Sequence, residues 1–343
     1  MTPKPTFQKL PHRGFGIRVD FGDAGPKAAI DGVLQFADVL LERFADAGGL
    51  IVIKGLSGLK DAPEKLLEIS TLFGPEVENV HQTLTAPRFF HEVPEIMVLS
   101  NKPPCLHPPP PKPPAGSSGE IRVQFPDQIN WHTDQSYRRP PPDVSLLFSV
   151  TAPPADQGQT LYANCTAAYE SLDAETCDLI DGLVGIHAPS WIGRTPWDVR
   201  DGVMPDALLP HQMPQPQPLV RVHPDTGKRS LYVCEEKQMD YVDGPIVGFE
   251  TGPDGDGAAL VRQLLIHITR PVNVYVHEWA EGDLVIGDNR CLLHCATWYD
   301  AETHAREMWR TTVMGNPGKA YAGEAKSWIP ADGIKVMQGM ERA

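Results

Sequence analysis

The sequence predicts a mainly β protein with flanking helices, whose core is a sandwich or barrel of the group that includes jelly rolls. From residue 129 onward, short apolar stretches of strand length dominate, and turn signals rich in glycine and proline separate many of them. Two stretches with helical periodicity precede these strands. The early helices are therefore expected to pack on the outside of the β core.

The first hundred residues predict two helices and two strands. Residues 28–47 have apolar positions at helical spacing and stop at Gly48 and Gly49, as an amphipathic helix with a glycine C-terminus does. The other predicted elements of this part are a buried strand at 50–55, a helix at 62–74 that ends at Gly74, and a strand at 95–100.

The remaining chain predicts an extended series of strands that two helical stretches interrupt. The predicted strands are 144–150, 159–163, 183–187, 218–223, 230–234, 273–279, 283–287 and 308–315, and the predicted helices are 166–182 and 257–269. No internal repeat and no clean linker divides the series. A single domain over residues 1–343 is therefore expected.

Residues 101–120 form a Pro-rich insertion with glycine and serine and without any periodicity. One interpretation is a surface insertion. The other is a lid, since long irregular loops within compact domains are often functional. The segment ends shortly before His132, which favours the lid.

Composition and charge argue against several classes of protein. The net charge is −14 and no basic run occurs, which disfavours nucleic acid as a partner. No apolar run is long enough to cross a membrane, and the first residues lack the apolar segment of a secretory signal. A cytoplasmic protein whose six cysteines are reduced thiols is therefore expected.

The stretch "NWHTDQSY" (130–137) places His132 and Asp134 two positions apart. In an extended strand, residues i and i+2 point to the same side, so an imidazole and a carboxylate can face one ion. Iron(II) accepts both ligand types, and two histidines with one carboxylate leave positions open for substrate and oxygen. With 12 histidines in the chain such pairs also arise by chance, so the spacing alone does not establish a site.

A second pair of this spacing, His223 and Asp225, has a different context. Pro224 stands between the two residues, and "PDTG" is a strong turn signal. This pair is interpreted as the corner of a hairpin.

A third ligand is available downstream in His294, which follows an apolar strand and the turn "GDNR". Arg306 and Arg310 come after it. A metal with open positions suits a bidentate cosubstrate such as 2-oxoglutarate, whose far carboxylate needs an arginine with a matching planar fork.

Together these motifs resemble the taurine/2,4-D (TauD/TfdA) family of Fe(II)- and 2-oxoglutarate-dependent dioxygenases. The resemblance rests on W-H-x-D at 131–134, "DNRCLLH" at 288–294 and R-x-x-x-R at 306–310. Further similar segments are "GLIVIKGL" (49–56), "LLEISTLFG" (66–74), 152–172 and "HPDTGKRSLYV" (223–233), so the likeness covers most of the chain. It implies a double-stranded β-helix core, the cupin-like form of the jelly roll, and supports a structural role for His223.

Residue by residue, the resemblance implies that His132, Asp134 and His294 bind Fe(II). It implies that Thr160 and Arg306 hold the far carboxylate of 2-oxoglutarate, although one glycine of the family's pair before the threonine is missing here. Arg310 matches a residue that often binds an anionic group on the substrate. A structural salt bridge is the alternative interpretation of Arg310.

Four further residues are candidates for substrate contact: Gln128, Tyr137, His81 and Asn79. Gln128 and Tyr137 bracket the His-x-Asp pair, but either could equally have a packing role. Asn79 and Gln82 stand where taurine enzymes usually carry a histidine and a tyrosine, with His81 close by. Taurine itself is therefore not the expected substrate.

Two other features near His294 have simpler interpretations. Cys291 and Cys295 flank this histidine and suggest a zinc site, but in an extended segment the odd positions face away from it. Trp309, which alternates with Met308 and Arg310, is interpreted as a core residue.

The predicted reaction consumes 2-oxoglutarate and O2, yields succinate and CO2, and hydroxylates an unactivated C–H bond of a small, anionic substrate. Desaturation, cyclisation or cleavage of a C–O or C–N bond by the same chemistry is one alternative. A metal-binding jelly roll without oxygenase activity is the alternative from a different class. The resemblance also implies a homo-oligomer, either a dimer or a tetramer. The charge and the lack of a long apolar run predict no nucleic acid or membrane partner.

Overall fold

The computed structural model describes residues 3–11, 15–83, 85–114, 130–188, 213–241 and 244–327. In chain order the elements are β1 (Thr6–Lys9), β2 (Ile17–Asp20), α1 (Pro26–Gln35), α2 (Ala37–Asp46), β3 (Leu50–Ile53), α3 (Pro63–Ser70), β4 (Glu76–Val77), β5 (Met97–Ser100), β6 (Val144–Thr151), β7 (Thr160–Asn164), α4 (Cys165–Glu170), α5 (Ala174–Ile180), β8 (Val184–His187), β9 (Gln215–Pro218), β10 (Val220–Val222), β11 (Arg229–Leu231), α6 (Asp256–Ile268), β12 (Val274–His277), β13 (Leu284–Asp288), β14 (Leu292–Ala296) and β15 (Glu307–Met314).

Two β-sheets pack face to face and form the core. The larger sheet has the strand order β1-β2-β3-β13-β6-β15-β4, and β5 also pairs with β15. The smaller sheet has the order β12-β7-β14. Val285 of the larger sheet shares one buried cluster with Tyr162 and Leu292 of the smaller sheet. The predicted mainly β protein with a jelly-roll core is confirmed by this arrangement.

Helices cover the outer face of each sheet. Strand side chains alternate between two faces, so every second residue points outward. On the larger sheet, Ile51 and Phe148 pack with Leu66 of α3 and with residues of α1 and α2. On the smaller sheet, Leu161 packs with Val261 of α6. The prediction that the early helices lie outside the β core is confirmed.

The predicted helix at 28–47 is two helices, α1 and α2. The backbone leaves helical geometry at Phe36, which has φ −103° and ψ 25°, because apolar periodicity continues through a short break and does not reveal it. The predicted glycine end is confirmed, since Gly48 and Gly49 both have positive φ values.

The predicted helix at 166–182 is also two helices, α4 and α5. Asp173 accepts a hydrogen bond from the backbone N–H of Thr176 and thereby begins a new helix inside the predicted one. The predicted helix at 62–74 is α3, followed by a short 3₁₀ turn over Thr71–Phe73. Both differences concern boundaries and not the type of element.

The described residues also contain strands that the sequence did not predict: β1, β2, β4, β9 and β14. They are short, and several carry charged residues or prolines that obscure the alternation of a strand. Strand β14 is the consequential one because it contains His294. The predicted hairpin corner at His223 is confirmed, since β10 pairs with β11 on either side of it. Within the described residues, no helix has the length and apolarity needed to span a membrane.

Candidate metal centre and active site

His132 and His294 lie opposite each other on paired backbone segments. The N–H of His132 donates to the carbonyl of His294 at 3.0 Å, and the reverse bond measures 2.7 Å. Directly paired residues of antiparallel segments project side chains to the same face. The two imidazole rings are accordingly 4.4 Å apart between centroids.

Asp134 completes a cluster of three candidate ligand residues. Its Oδ1 lies 4.0 Å from Nε2 of His132 and 3.8 Å from Nε2 of His294. The three ligand atoms lie within 4.8 Å of one another. Asn130 and Gln135, which flank the motif, have φ values of 68° and 51°. Left-handed conformations at two non-glycine residues cost free energy, and such conformations cluster at functional sites.

Both histidines are present in the form that binds a metal. Burial lowers the pKa of His294 to about 3, and it lowers the pKa of His132 against the opposing effect of Asp134. Nδ1 of His132 lies 2.7 Å from the carbonyl of Asn130. This contact assigns the proton to Nδ1, so the lone pair of Nε2 faces Asp134.

Asp134 is ionised. Its burial acts to raise the pKa, but the guanidinium of Arg310, the two histidines and a hydrogen bond from Ser145 together hold the pKa below its ordinary value. Two neutral imidazoles and one carboxylate at these distances fit a divalent transition metal with open positions.

A second cluster of ligand types, formed by His223, Asp288 and Cys291, is already satisfied by protein groups. Arg290 donates from Nε to Oδ1 of Asp288 at 2.8 Å and from Nη2 to Oδ2 at 2.7 Å. His223 contacts the same Oδ2 at 2.9 Å. Because the cation of Arg290 occupies the carboxylate, this cluster is a buried ion pair and not a metal site.

A cavity of about 470 Å³ opens over the three clustered residues, between the two sheets. It brings together most of the predicted site: His132, Asp134, Tyr137, Thr160, His294, Arg306 and Arg310. The register of the sheets explains the convergence. His294 pairs with Tyr162 and Ala296 pairs with Thr160, so these side chains share one face.

Arg306 presents a buried positive charge to this cavity. The residue is 8 % exposed, and its Nε has no hydrogen-bond partner among the described residues. Burial lowers its pKa. Asn101 fixes the adjacent backbone by accepting the N–H of Arg306 at 2.9 Å. Thr160 lines the same cavity, and its hydroxyl oxygen accepts a hydrogen bond from Trp279 at 3.0 Å, which leaves the hydroxyl proton free to donate elsewhere.

Arg310 forms a salt bridge, which was one of its two interpretations, and it also lines the cavity. Its Nη1 donates to Oδ1 of Asp134 at 2.8 Å, and its Nη2 lies 3.1 Å from the sulfur of Met97. Burial acts to lower its pKa, but Asp134 and Glu78 raise it overall. The guanidinium therefore forms a salt bridge and also lines the cavity.

Two predicted substrate contacts, Asn79 and His81, are not among the residues that line the cavity. Asn79 accepts the backbone N–H of His81 at 3.1 Å. The ring of His81 lies 3.0 Å from the carbonyl of His91 and stacks on Phe90. Local hydrogen bonds in the turn hold both side chains, and their contact with a substrate stays a prediction. Gln128 lies outside the described residues.

The cavity also contains residues that the sequence did not single out. They include His107, Pro108–Pro111, Asn130, Gln135, Ser145, Lys237, Gln238 and Asn289. The Pro-rich composition marked part of this set. The others come from separate strands and turns, and no local pattern groups them.

The described part of the Pro-rich insertion forms one wall of the cavity. His107 is held by a 2.7 Å hydrogen bond from its N–H to the carbonyl of Ser100. Pro108–Pro110 also line the extension of the cavity beside Arg306. Farther on, the ammonium of Lys112 lies 4.8 Å from the centre of the Trp298 ring. These residues are therefore more than a surface insertion, because they also line the cavity.

Trp309 and Cys295 have the predicted packing roles. Trp309 is buried in the cluster between the larger sheet and its helices. Cys295 is buried on the other face of β14 from His294, in the cluster beneath α6. The two predictions are confirmed, and β14 is extended as the alternation argument required.

Comparison with known proteins found relatives of this chain in both sequence and structure. A family model described as "Taurine catabolism dioxygenase TauD, TfdA family" matches residues 17–312. A relative from Sphingobium herbicidovorans, the (S)-phenoxypropionate/alpha-ketoglutarate-dioxygenase, is 34 % identical over 199 residues, which cover 57 % of this chain and 65 % of the relative. The alpha-ketoglutarate-dependent sulfate ester dioxygenase of Pseudomonas putida is 32 % identical over 193 residues, covering 54 % of this chain and 60 % of the relative.

These alignments span less than two thirds of the length of either relative. A solved structure of a taurine dioxygenase from Burkholderia xenovorans aligns with a TM-score of 0.62 and 24 % identity, covering 92 % of this chain and 90 % of that one. At this identity the structural likeness establishes the shared fold. Since the family model matches most of the sequence, the chain belongs to the taurine catabolism dioxygenase TauD, TfdA family.

Proposed function

We propose that this chain is an Fe(II)- and 2-oxoglutarate-dependent dioxygenase. It would couple the oxidative decarboxylation of 2-oxoglutarate, to succinate and CO2, with hydroxylation of an unactivated C–H bond of a small anionic substrate. One observation carries the proposal. Two neutral histidines and one carboxylate converge on the same cavity as the buried guanidinium of Arg306, which has no acidic partner among the described residues.

The proposed metal ligands are His132, Asp134 and His294. Their donor set is the facial arrangement of two histidines and one carboxylate that suits non-haem iron(II). When bound, Fe(II) together with 2-oxoglutarate supplies the activation of O2 that attack on a C–H bond requires. The protein contributes the arrangement of these groups and a sheltered cavity.

Thr160 and Arg306 are the proposed holders of the far carboxylate of 2-oxoglutarate. A buried guanidinium without an anion is costly, and a bound carboxylate offsets that cost through paired hydrogen bonds. Because Trp279 donates to the oxygen of Thr160, the hydroxyl of Thr160 is available as a donor to the same carboxylate. A metal-binding protein without a cosubstrate would have no use for this pair of groups.

The remaining cations of the cavity favour an anionic substrate. Arg310 lies beside Asp134, and Lys237 lines the cavity from the segment after β11. The names of two relatives indicate a phenoxypropionate and a sulfate ester as substrates, and both carry an anionic group. A carboxylate, sulfonate or sulfate ester is therefore the proposed class.

Succinate formation tests the proposal. The purified protein would be incubated with Fe(II), ascorbate and 2-oxoglutarate across a panel of phenoxy acids, other carboxylates, sulfonates and sulfate esters. We expect coupled turnover with one anionic class, and Lys237→Ala to raise KM for it more than it lowers kcat. Bound Fe(II) with no succinate from any compound would contradict the dioxygenase assignment.

Two expectations from the sequence remain predictions: a cytoplasmic location and a homo-oligomeric state. Sedimentation velocity of the purified chain would test the second, with a dimer or tetramer expected and a monomer at micromolar concentration contradicting it.

A further inference from the structure

Two side chains from different elements hold the second oxygen of Asp134. The hydroxyl of Ser145, on β6, donates to Oδ2 of Asp134 at 2.6 Å. Asn289, in the turn between β13 and β14, donates from Nδ2 to the oxygen of Ser145 at 2.9 Å. Asn289 is 3 % exposed and lines the cavity beside Ser145. The three side chains form a continuous line of hydrogen bonds.

The direction of these bonds is fixed at both ends. A serine hydroxyl has one proton, and the oxygen of Ser145 already accepts from the amide of Asn289. The proton of Ser145 is therefore directed to Asp134. At the other end of the Asn289 amide, Oδ1 accepts the backbone N–H of Asp134 at 3.4 Å. This contact assigns the amide orientation, since the opposite orientation would set an NH₂ group against an N–H.

The backbone of Asn289 is anchored independently. Its N–H donates to the carbonyl of Asp143 at 2.8 Å, and its carbonyl accepts from the hydroxyl of Thr133 at 2.9 Å. The ion pair of Asp288 with Arg290 occupies the same turn. The position of Asn289 relative to the His-x-Asp segment is thus set before any ligand binds.

We propose that Ser145 and Asn289 are positioning residues for the metal carboxylate. They keep Oδ2 of Asp134 engaged and leave Oδ1, which faces both histidines, as the single oxygen available to the metal. A carboxylate held in this way occupies one coordination position. The inference rests on the proposed function and deepens it, because a one-position carboxylate preserves the sites that a bidentate cosubstrate and oxygen need.

Arg310 does not substitute for this arrangement. Its Nη1 contacts Oδ1 of Asp134, the oxygen that faces the histidines, and not Oδ2. Without the hydroxyl of Ser145, Oδ1 of Asp134 would keep its hydrogen bond from Arg310, and Oδ2 would lose the bond from Ser145. It could then rotate and present either oxygen, or both.

The test measures metal affinity and not only activity. We would titrate Fe(II), and Mn(II) as a second metal, into wild-type protein and into Ser145→Ala and Asn289→Leu variants without oxygen. Loss of a group that orients a metal ligand commonly weakens binding about 10–100-fold. We expect that range for both variants and near-complete recovery for Ser145→Thr, which restores the hydroxyl.

Ser70→Ala is the matched control. Ser70 is fully buried and its hydroxyl lies 2.7 Å from that of Thr311, away from the cavity. This variant is expected to lower the melting temperature of the metal-free protein without changing metal affinity. If Ser145→Ala and Asn289→Leu behave like this control, the positioning role is wrong. Wild-type protein that binds no Fe(II) would instead contradict the proposed function itself.

Discussion

Arg306 is the single residue that most restricts the chemistry of the cavity. A charged group taken out of water is destabilising unless another charge or several hydrogen bonds compensate it. Among the described residues the Nε of Arg306 has no hydrogen-bond partner, and no carboxylate opposes the lowering of its pKa by burial. An anionic ligand that pairs with this guanidinium is the best explanation for a buried arginine at this position.

The first prediction concerns this guanidinium. Arg306→Lys keeps the charge but loses the planar fork, so one of two paired hydrogen bonds to the far carboxylate of 2-oxoglutarate is lost. A hydrogen bond to a charged group contributes about 1.5–3 kcal/mol, which corresponds to roughly 10–100-fold weaker binding of 2-oxoglutarate. Anaerobic titration of the Fe(II)-loaded protein measures it. Arg270→Lys, at an exposed arginine, is the control, and equal affinities in the two variants would count against the assigned role.

The sequence predicted the residues whose spacing is local, and it missed those that depend on strand register. His132 and Asp134 follow from an i, i+2 pattern, and the structure brings His294 to them. Ser145 and Asn289 lie 144 positions apart and meet only through pairing of β6 with β13. Asn79 and His81 were placed by analogy, but local hydrogen bonds determine their orientation.

At the scale of elements, the turn between β13 and β14 determines where His294 lies. The sequence predicted β13 and a following turn, but not β14 as a strand, because five residues with a histidine at the centre show little alternation. Pairing with β7 supplies what the local sequence does not, and it places His294 opposite Tyr162. Tertiary pairing of this kind overrides weak intrinsic strand preference.

The second prediction tests the ion pair in this turn. Arg290→Gln leaves the buried carboxylate of Asp288 without its cation, and removal of one partner from a buried pair costs about 3–5 kcal/mol of unfolding free energy. Urea denaturation measures the change. The control is Arg229→Gln, which breaks an exposed pair with Asp181 and should leave the unfolding free energy unchanged within error. Equal effects of the two substitutions would refute the structural role of Arg290.

The third prediction concerns the Pro-rich wall of the cavity. Proline fixes φ, so Pro108–Pro110 hold an extended shape at little entropic cost, and Lys112 secures the segment on Trp298. Replacing the three prolines with Gly-Ser-Gly should admit water and increase the succinate formed per molecule of product. An unchanged ratio of succinate to product in the Gly-Ser-Gly variant would show that the wall has no role in excluding water.

Lys112→Ala should raise the rate of proteolysis in the segment, whereas Lys112→Arg should not.

For the whole molecule, acid should be strongly destabilising. Burial lowers the pKa of His187 to about 3 in the folded chain, whereas an exposed histidine titrates near 6.5. Between these values the unfolded chain binds more protons than the folded chain, so stability falls as pH decreases. From pH 6.5 to 5.0 a single such histidine removes about 1.6 kcal/mol. The buried His294 acts in the same direction.

The fourth prediction isolates the contribution of His187 to the pH dependence of the unfolding free energy. The unfolding free energy of the metal-free protein is measured by urea denaturation at pH 6.5 and at pH 5.0. Between these values it should decrease by about 1.6 kcal/mol less in His187→Gln than in the wild type. His187 lies outside the cavity lining, so the substitution does not affect a proposed ligand. Identical pH profiles would mean that His187 titrates normally in the folded chain.

The fold class was predictable because strand length, alternation and turn residues are properties of short segments. The closing of two sheets around a cavity was not, since it depends on pairings such as β6 with β15 that join distant parts of the chain. The same limit applied to the charge balance of the cavity. Arg310, Asp134 and Glu78 interact there, and nothing in their separate sequence contexts indicated this.

The measurement that tests the central claim most directly is the visible absorption spectrum of the protein with Fe(II) and 2-oxoglutarate in the absence of oxygen. A metal-to-ligand charge-transfer band should develop with one equivalent of each, and neither Asp134→Ala nor Zn(II) in place of Fe(II) should give it. A spectrum without this band, in wild-type protein shown to contain iron, would contradict the assignment of His132, Asp134 and His294 as a site for Fe(II) and 2-oxoglutarate.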